Sequence, residues 1–141
     1  MAAPEVPSSH KYLLDAPTLT LATIDPNGRP QLSQIWFLAE DGVVKSGLNT
    51  LRQKVKNLEA NKHVTVFILD TSNPQKYLEI RGEATLEPDP DYVFTERMVA
   101  KYGDGIPIRD WDGPDGKRVV VTINPVRINA VDMGGGEPTD S

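Results

Sequence analysis

A strictly alternating segment at residues 77–86 constrains the fold more than any other feature of the sequence. Tyr77, Glu79, Arg81, Glu83 and Thr85 alternate there with apolar or small residues. Successive side chains of an extended strand point to opposite faces, so this period of two predicts a half-exposed antiparallel β-strand.

Further segments carry strand patterns and are separated by turn-forming residues. They span residues 18–24, 31–39, 43–48, 63–69, 118–124 and 126–132. Asp25-Pro26-Asn27-Gly28 and Asp41-Gly42 lie between the first three, and these residue types favour hairpin turns. Six or more short strands with such links predict a mainly β, antiparallel barrel rather than βαβ units.

Three helices are predicted around this barrel. Ser8 and Ser9 favour the start of a short helix that ends before Pro17. Leu51, Val55 and Leu58 follow helical spacing after Thr50, which is a suitable N-cap. Asp91 is a suitable cap for a third helix through residue 102.

The remaining segments predict a loop and a tail. Residues 103–116 are rich in Gly, Pro and Asp and contain Trp111, which predicts a long loop or lid. The chain is therefore expected to form one domain over residues 1–133, with a flexible glycine-rich tail at residues 134–141.

Composition excludes several classes of function. The chain has no cysteine, which removes disulfides, thiolate nucleophiles and cysteine-bound metals, and its two histidines lack metal-ligand spacing. A net charge of −5 disfavours nucleic acid as a partner. The opening residues lack the pattern of a signal peptide, and no apolar run approaches the ~20 residues of a membrane helix, so a cytoplasmic protein is expected.

A cluster of cations is the main candidate site. Arg52, Lys54 and Lys56 lie near the start of the second predicted helix. Free N–H groups and the positive dipole end at a helix N-terminus favour anions, so added cations indicate a phosphate or carboxylate site. A solvated basic face explains the same residues about as well.

Several separated segments together resemble a known family. They are residues 21–23 (LAT), 28–33 (GRPQLS), 51–58 (LRQKVKNL), 61–64 (NKHV) and 79–84 (EIRGEA). In this order they resemble the split β-barrel family that includes pyridoxamine 5′-phosphate oxidase and the deazaflavin-dependent reductases.

The resemblance implies a six-stranded antiparallel split β-barrel, of the kind that binds FMN, with two to three flanking helices. It also implies a homodimer with two cofactor sites at its interface and a cofactor ring against the strand at residues 31–36. Lys54, with Arg52 beside it, matches the family position that binds the cofactor phosphate. The cofactor-binding residues expected on this basis are Gln31, Ser33, Gln34, Ile35, Trp36, Ser46, Arg52, Lys54, Lys56 and Asn57.

One departure from the family pattern bears on the reaction. Pyridoxamine phosphate oxidases carry a C-terminal segment with Arg and His that holds the substrate phosphate, whereas this chain has Met133 and a glycine-rich tail there. This departure disfavours oxidation of vitamin B6. Within the resemblance, the short length, the segments GRPQ (28–31) and LRQK (51–54) and the extra cations favour coenzyme F-420 over FMN, because its lactyl phosphate and polyglutamate tail need a longer basic groove. The implied protein is a reductase that transfers a hydride to a small electron-poor organic substrate. The alternatives are an FMN-dependent oxidoreductase and a non-enzymatic flavin-binding or F-420-binding protein. No catalytic residue is assigned.

Overall fold

The computed structural model describes residues 3–134, which form seven strands and four short helices. The strands are β1 (Leu19–Ile24), β2 (Pro30–Ile35), β3 (Leu38–Glu40), β4 (Val43–Asn49), β5 (His63–Leu69), β6 (Lys76–Pro88) and β7 (Arg118–Asp132). A 3-10 helix covers Ser8–Asp15, and the α-helices are α1 (Gln53–Ala60), α2 (Val93–Ala100) and α3 (Ile108–Asp112).

The strands form one curled antiparallel sheet in the order β2-β1-β5-β6-β7-β4-β3. This half-barrel confirms the predicted mainly β fold, although it has seven strands in place of six. Residues 135–141 of the predicted tail lie outside the described residues, so the domain bounds stay a prediction.

The main hydrophobic core lies on the inner face of the curled sheet. Leu78 and Ile80 of β6 are buried and Arg81 is exposed, which confirms the alternation predicted there. Leu21 of β1 and Val66 of β5 are paired in register and are also buried. Each fully buried aliphatic side chain contributes about 1.5–3 kcal/mol of transfer free energy, so this face stabilises the sheet.

A second, smaller core joins α2 and α3 to the β3–β4 side of the sheet. Phe94, Met98 and Val99 of α2 pack there with Tyr92 and Ile108. Trp36, Leu38 and Val120 pack against this cluster. The later helices are thereby fixed beside the end of β2.

The strand predicted at residues 31–39 is broken in the middle. β2 ends at Ile35 and β3 begins at Leu38. Between them, the Phe37 amide donates to Tyr102 Oη at 3.0 Å and its carbonyl accepts from Lys101 Nζ at 3.0 Å. These bonds replace a strand partner, and the Phe37 side chain enters the core with 0% exposure.

The last predicted strand pair is one continuous strand. Pro125 lies inside β7, where a register shift between Arg81 and Gly82 forms a bulge opposite it. Proline is tolerated at a bulge because it has no N–H for the ladder. A Cβ on Gly82 would overlap the carbonyl of Asn124, so the bulge requires glycine.

Neither of the two later predicted helix caps is confirmed. Arg52, not Thr50, is the N-cap residue of α1. Leu51, which was predicted on the apolar face of this helix, precedes it and is 56% exposed. At α2 the N-cap residue is Tyr92, not Asp91, and it is the carboxylate of Asp89 that accepts from the amides of Phe94 and Thr95.

The helices of residues 3–134 are all short. The longest α-helices have eight residues, and none could cross a membrane.

Candidate functional site

A groove of about 340 Å³ lies where the curled sheet stays open, between the end of β2 and β4. The start of α1, the α2–α3 segment and the first residue of β7 complete it. Its lining residues are Gln34, Ile35, Trp36, Ser46, Gly47, Leu48, Asn49, Arg52, Lys54, Met98, Ile108, Trp111 and Arg118.

Three cations line this groove: Arg52, Lys54 and Arg118. Among residues 3–134, no carboxylate lies within 4.0 Å of the cationic groups of Arg52 or Lys54. Burial lowers the pKa of Lys54, and the charges of Arg52 and Arg118 lower it further. An anion bound here would relieve that repulsion, because opposite charge favours the protonated amine.

Arg118, which the sequence patterns did not indicate, is already paired with Asp112. Its Nη2 donates to Asp112 Oδ1 at 2.6 Å and its Nε donates to Oδ2 at 2.7 Å. Tyr92 Oη and Asn49 Nδ2 donate to the same carboxylate at 2.6 and 3.1 Å. Burial alone would raise the pKa of Asp112, but the bonds from Arg118 and Tyr92 outweigh it and hold the pKa below its usual range.

The rest of the groove is mainly apolar. Ile35, Leu48, Met98 and Ile108 are buried and line it. Trp111 lines it with 63% of its surface exposed. A molecule with an anionic end and a flat apolar body fits this arrangement of charge and surface.

Trp36 is held in place by its neighbours. Its ring stacks on Tyr102 with centroids 4.1 Å apart and planes 11° from parallel. Tyr102 Oη in turn donates to the Pro17 carbonyl at 2.6 Å. Ser46 Oγ donates to the Trp36 carbonyl at 2.6 Å and so joins β4 to the residue after β2.

Six of the ten predicted cofactor residues meet in this groove: Gln34, Ile35, Trp36, Ser46, Arg52 and Lys54. The side chain of Gln34 is bonded to the hydroxyls of Thr18 and Thr20.

The other four predicted residues lie outside the groove lining. Asn57 Nδ2 donates to Gln31 Oε1 at 2.9 Å and to Thr23 Oγ1 at 3.0 Å, which ties α1 to β1 and β2. Ser33 Oγ is shielded from water and is the one buried side-chain polar atom of the described residues without a partner. Lys56 is exposed, because residues two apart on a helix face different directions.

Sequence reasoning missed the residues that reach the groove from the second half of the chain. Arg118 opens a strand, and Met98 and Ile108 lie on helices, so no local pattern indicates a shared site. The only sequence feature that pointed to a contribution from this half of the chain was Trp111, inside the predicted loop. That loop contains α3.

Residues 3–134 contain no group of three or more His, Asp or Glu side chains placed to hold an ion.

A curled antiparallel sheet with a basic groove at its opening defines a split-barrel protein. The family model for pyridoxamine 5′-phosphate oxidase matches residues 8–132. The chain belongs to this family, which includes flavin-binding oxidoreductases.

Similar solved structures agree with this assignment. An F420 reductase is 32% identical, with a TM-score of 0.75 over 87% of this chain and 98% of that one. A conserved hypothetical protein from Mycobacterium tuberculosis is 25% identical, with a TM-score of 0.71 over 99% and 92% of the two chains. HupZ from Group A Streptococcus, 19% identical with a TM-score of 0.68 over 96% and 99%, shares the fold. No curated protein matches the chain.

Proposed function

We propose that the protein is an oxidoreductase that uses coenzyme F-420 to transfer a hydride to a small electron-poor organic substrate. The observation that carries the proposal is the pair Arg52 and Lys54, two cations without carboxylate partners among residues 3–134, at a groove that is otherwise mainly apolar. Similarity to an F420 reductase supports the choice of deazaflavin.

The residues of the groove fit such a cofactor. Arg52 and Lys54 would hold its phosphate through charge-assisted hydrogen bonds. Ile35, Leu48 and Met98 would exclude water from the ring, and Trp36, fixed by Tyr102, would keep one wall rigid. Ser33 Oγ offers an unused hydroxyl on the same face of β2 as Ile35. The bound cofactor supplies the hydride, while the protein supplies orientation and desolvation.

Binding measurements on three lysine and arginine variants test this proposal. Lys54→Ala and Arg52→Ala should each weaken F-420 binding roughly 10- to 150-fold, because a hydrogen bond to a charged group contributes about 1.5–3 kcal/mol. The intrinsic fluorescence of F-420 reports its dissociation constant. Lys56→Ala is the matched control, since Lys56 is an exposed cation of the same helix outside the groove.

The outcomes separate the alternatives. Equal affinity in wild type and both groove variants would mean that the cations are merely solvated. An equal loss in Lys56→Ala would extend the basic site along α1. Tight FMN binding with no F-420 binding would favour the FMN-dependent oxidoreductase, and binding without turnover of enones and quinones would favour a carrier protein.

We also propose that the protein acts as a homodimer. The outer face of the sheet exposes apolar side chains that a second copy would cover: Leu32 of β2 is 66% exposed, and Phe67 and Tyr77 form a ring pair with centroids 4.9 Å apart. Leu32, Ala22, Thr65 and Arg81 follow one another in register across four strands of this face.

A further inference from the structure

Two aromatic side chains line the groove, Trp36 and Trp111, and of these only Trp111 is not stacked on another ring of the described residues. Trp36 has one face covered by Tyr102, whereas Trp111 has no ring partner among residues 3–134. Its indole N–H also has no acceptor within the described part of the chain. Trp111 therefore presents an open π face and a free donor to whatever enters the groove.

The position of Trp111 in the chain separates it from the cofactor residues. Arg52 and Lys54 lie at the start of α1, whereas Trp111 comes from the segment between α2 and β7. Segments that extend from a rigid sheet commonly determine what a site accepts.

Asp112, the next residue, anchors this segment to the barrel. Its carboxylate accepts four hydrogen bonds from Asn49, Tyr92 and Arg118, which belong to β4, the turn before α2, and β7. α3 has five residues and no side-chain cap, so these bonds are its main polar attachment. Asp110, on the other side of Trp111, is exposed and its side chain has no partner among residues 3–134.

We propose that Trp111 determines substrate specificity by stacking on the planar conjugated part of the substrate, and that Asp112 is the positioning residue that holds Trp111 at the groove. The inference rests on the function proposed above. An electron-rich indole pairs well with an electron-poor flat acceptor, and the free N–H can donate to the carbonyl oxygen of that acceptor.

Kinetics with menadione, a flat quinone, test the role of Trp111. Trp111→Ala should raise KM for menadione at least tenfold and leave the dissociation constant of F-420 within twofold of wild type. Trp111→Phe, which keeps a ring, should recover most of the loss. An unchanged KM would overturn the inference, as would an F-420 dissociation constant that rises as much as KM, because Trp111 would then contact the cofactor.

Fluorescence tests the role of Asp112. The chain has two tryptophans, so Trp36→Phe leaves Trp111 as the single reporter. In that background, Asp112→Asn should shift Trp111 emission, and in the chain that retains Trp36 it should raise KM for menadione. The matched Asp110→Asn should do neither. Equal behaviour of the two variants would overturn the positioning role.

Failure of the F-420 assignment can be distinguished from failure of the role proposed for Trp111. If wild type binds no F-420, the proposed function is wrong, and Trp111 is then tested in the Trp36→Phe protein without cofactor. Saturable quenching of Trp111 fluorescence by menadione would support a specific contact. Quenching that rises linearly without saturation would overturn it.

Discussion

At the scale of the residue, two aspartates on either side of Trp111 have opposite environments. The side chain of Asp112 is 3% exposed and bonded to that of Arg118, which is 12% exposed, while Asp110 is exposed. The sequence shows the same residue type twice in an acidic loop. The difference arises from Arg118, Tyr92 and Asn49, which are distant from one another in the sequence and meet Asp112 in the folded chain.

We expect Asp112→Asn to lower the free energy of unfolding by about 3 kcal/mol, because removing one partner of a buried ion pair leaves the other charge uncompensated. Asp110→Asn should change it by no more than about 0.5 kcal/mol. Urea unfolding monitored by circular dichroism measures both. A loss below 1 kcal/mol in Asp112→Asn would contradict the structural role assigned to the pair.

The difference in free energy of unfolding between wild type and Asp112→Asn should depend on pH with a defined sign. The folded-state pKa of Asp112 is lowered: burial would raise it, but the bonds from Arg118 and Tyr92 prevail. A lowered folded pKa contributes stability that is present above the unfolded pKa, about 3.9, and is lost as pH falls through the folded pKa. The difference in free energy of unfolding between wild type and Asp112→Asn should therefore be largest at pH 7 and should decrease below about pH 4.

At the scale of the element, the contact of β4 with α2 depends on a glycine. A Cβ on Gly47 would overlap Thr95 Oγ1, and the Gly47 amide lies 3.4 Å from Met98 Sδ. The Gly47 carbonyl accepts from Arg118 Nη1 at 2.8 Å. β4 is thus held between α2 and the ion pair that anchors α3.

Gly47→Ala should destabilise the protein by about 1–3 kcal/mol, because the added methyl overpacks this contact. Thr95→Ala removes the side-chain atom that the methyl would meet, so the double variant should lose less than the sum of the two single losses. Chemical unfolding of the four proteins gives the coupling free energy. Strict additivity would show that the methyl is accommodated elsewhere.

Elements could be predicted where one local pattern determines them. The alternation at residues 77–86 marked β6, and Val55 and Leu58 marked the buried side of α1. The break after Ile35 could not be predicted, because Tyr102 and Lys101, far along the chain, supply the partners of Phe37. For the candidate site, local spacing and the family resemblance predicted Arg52 and Lys54. Arg118 could not be predicted in this way, because only the folded chain brings it to the groove.

At the scale of the whole molecule, the exposed outer face of the sheet predicts self-association. Leu32→Glu should convert the proposed dimer to a monomer, because it introduces a charge into an apolar contact. Analytical ultracentrifugation measures the mass of the variant in solution. If the cofactor sites lie at the dimer interface, the variant should also bind the cofactor more weakly. Val93→Glu is the control, since Val93 is 61% exposed on α2. A monomeric wild type, or a dimer that tolerates Leu32→Glu, would contradict the proposal.

The anchor at Asp112 also bears on how the protein can diversify. The bonds to Asn49, Tyr92 and Arg118 fix the end of the segment at residues 103–112 independently of the residues inside it. Residues 103–105, which are exposed, could then be lengthened, shortened or exchanged while Ile108 stays in the second core and the cation pair stays in place. Such a segment behaves as a replaceable module, through which one scaffold can acquire new substrates without rebuilding the proposed cofactor site.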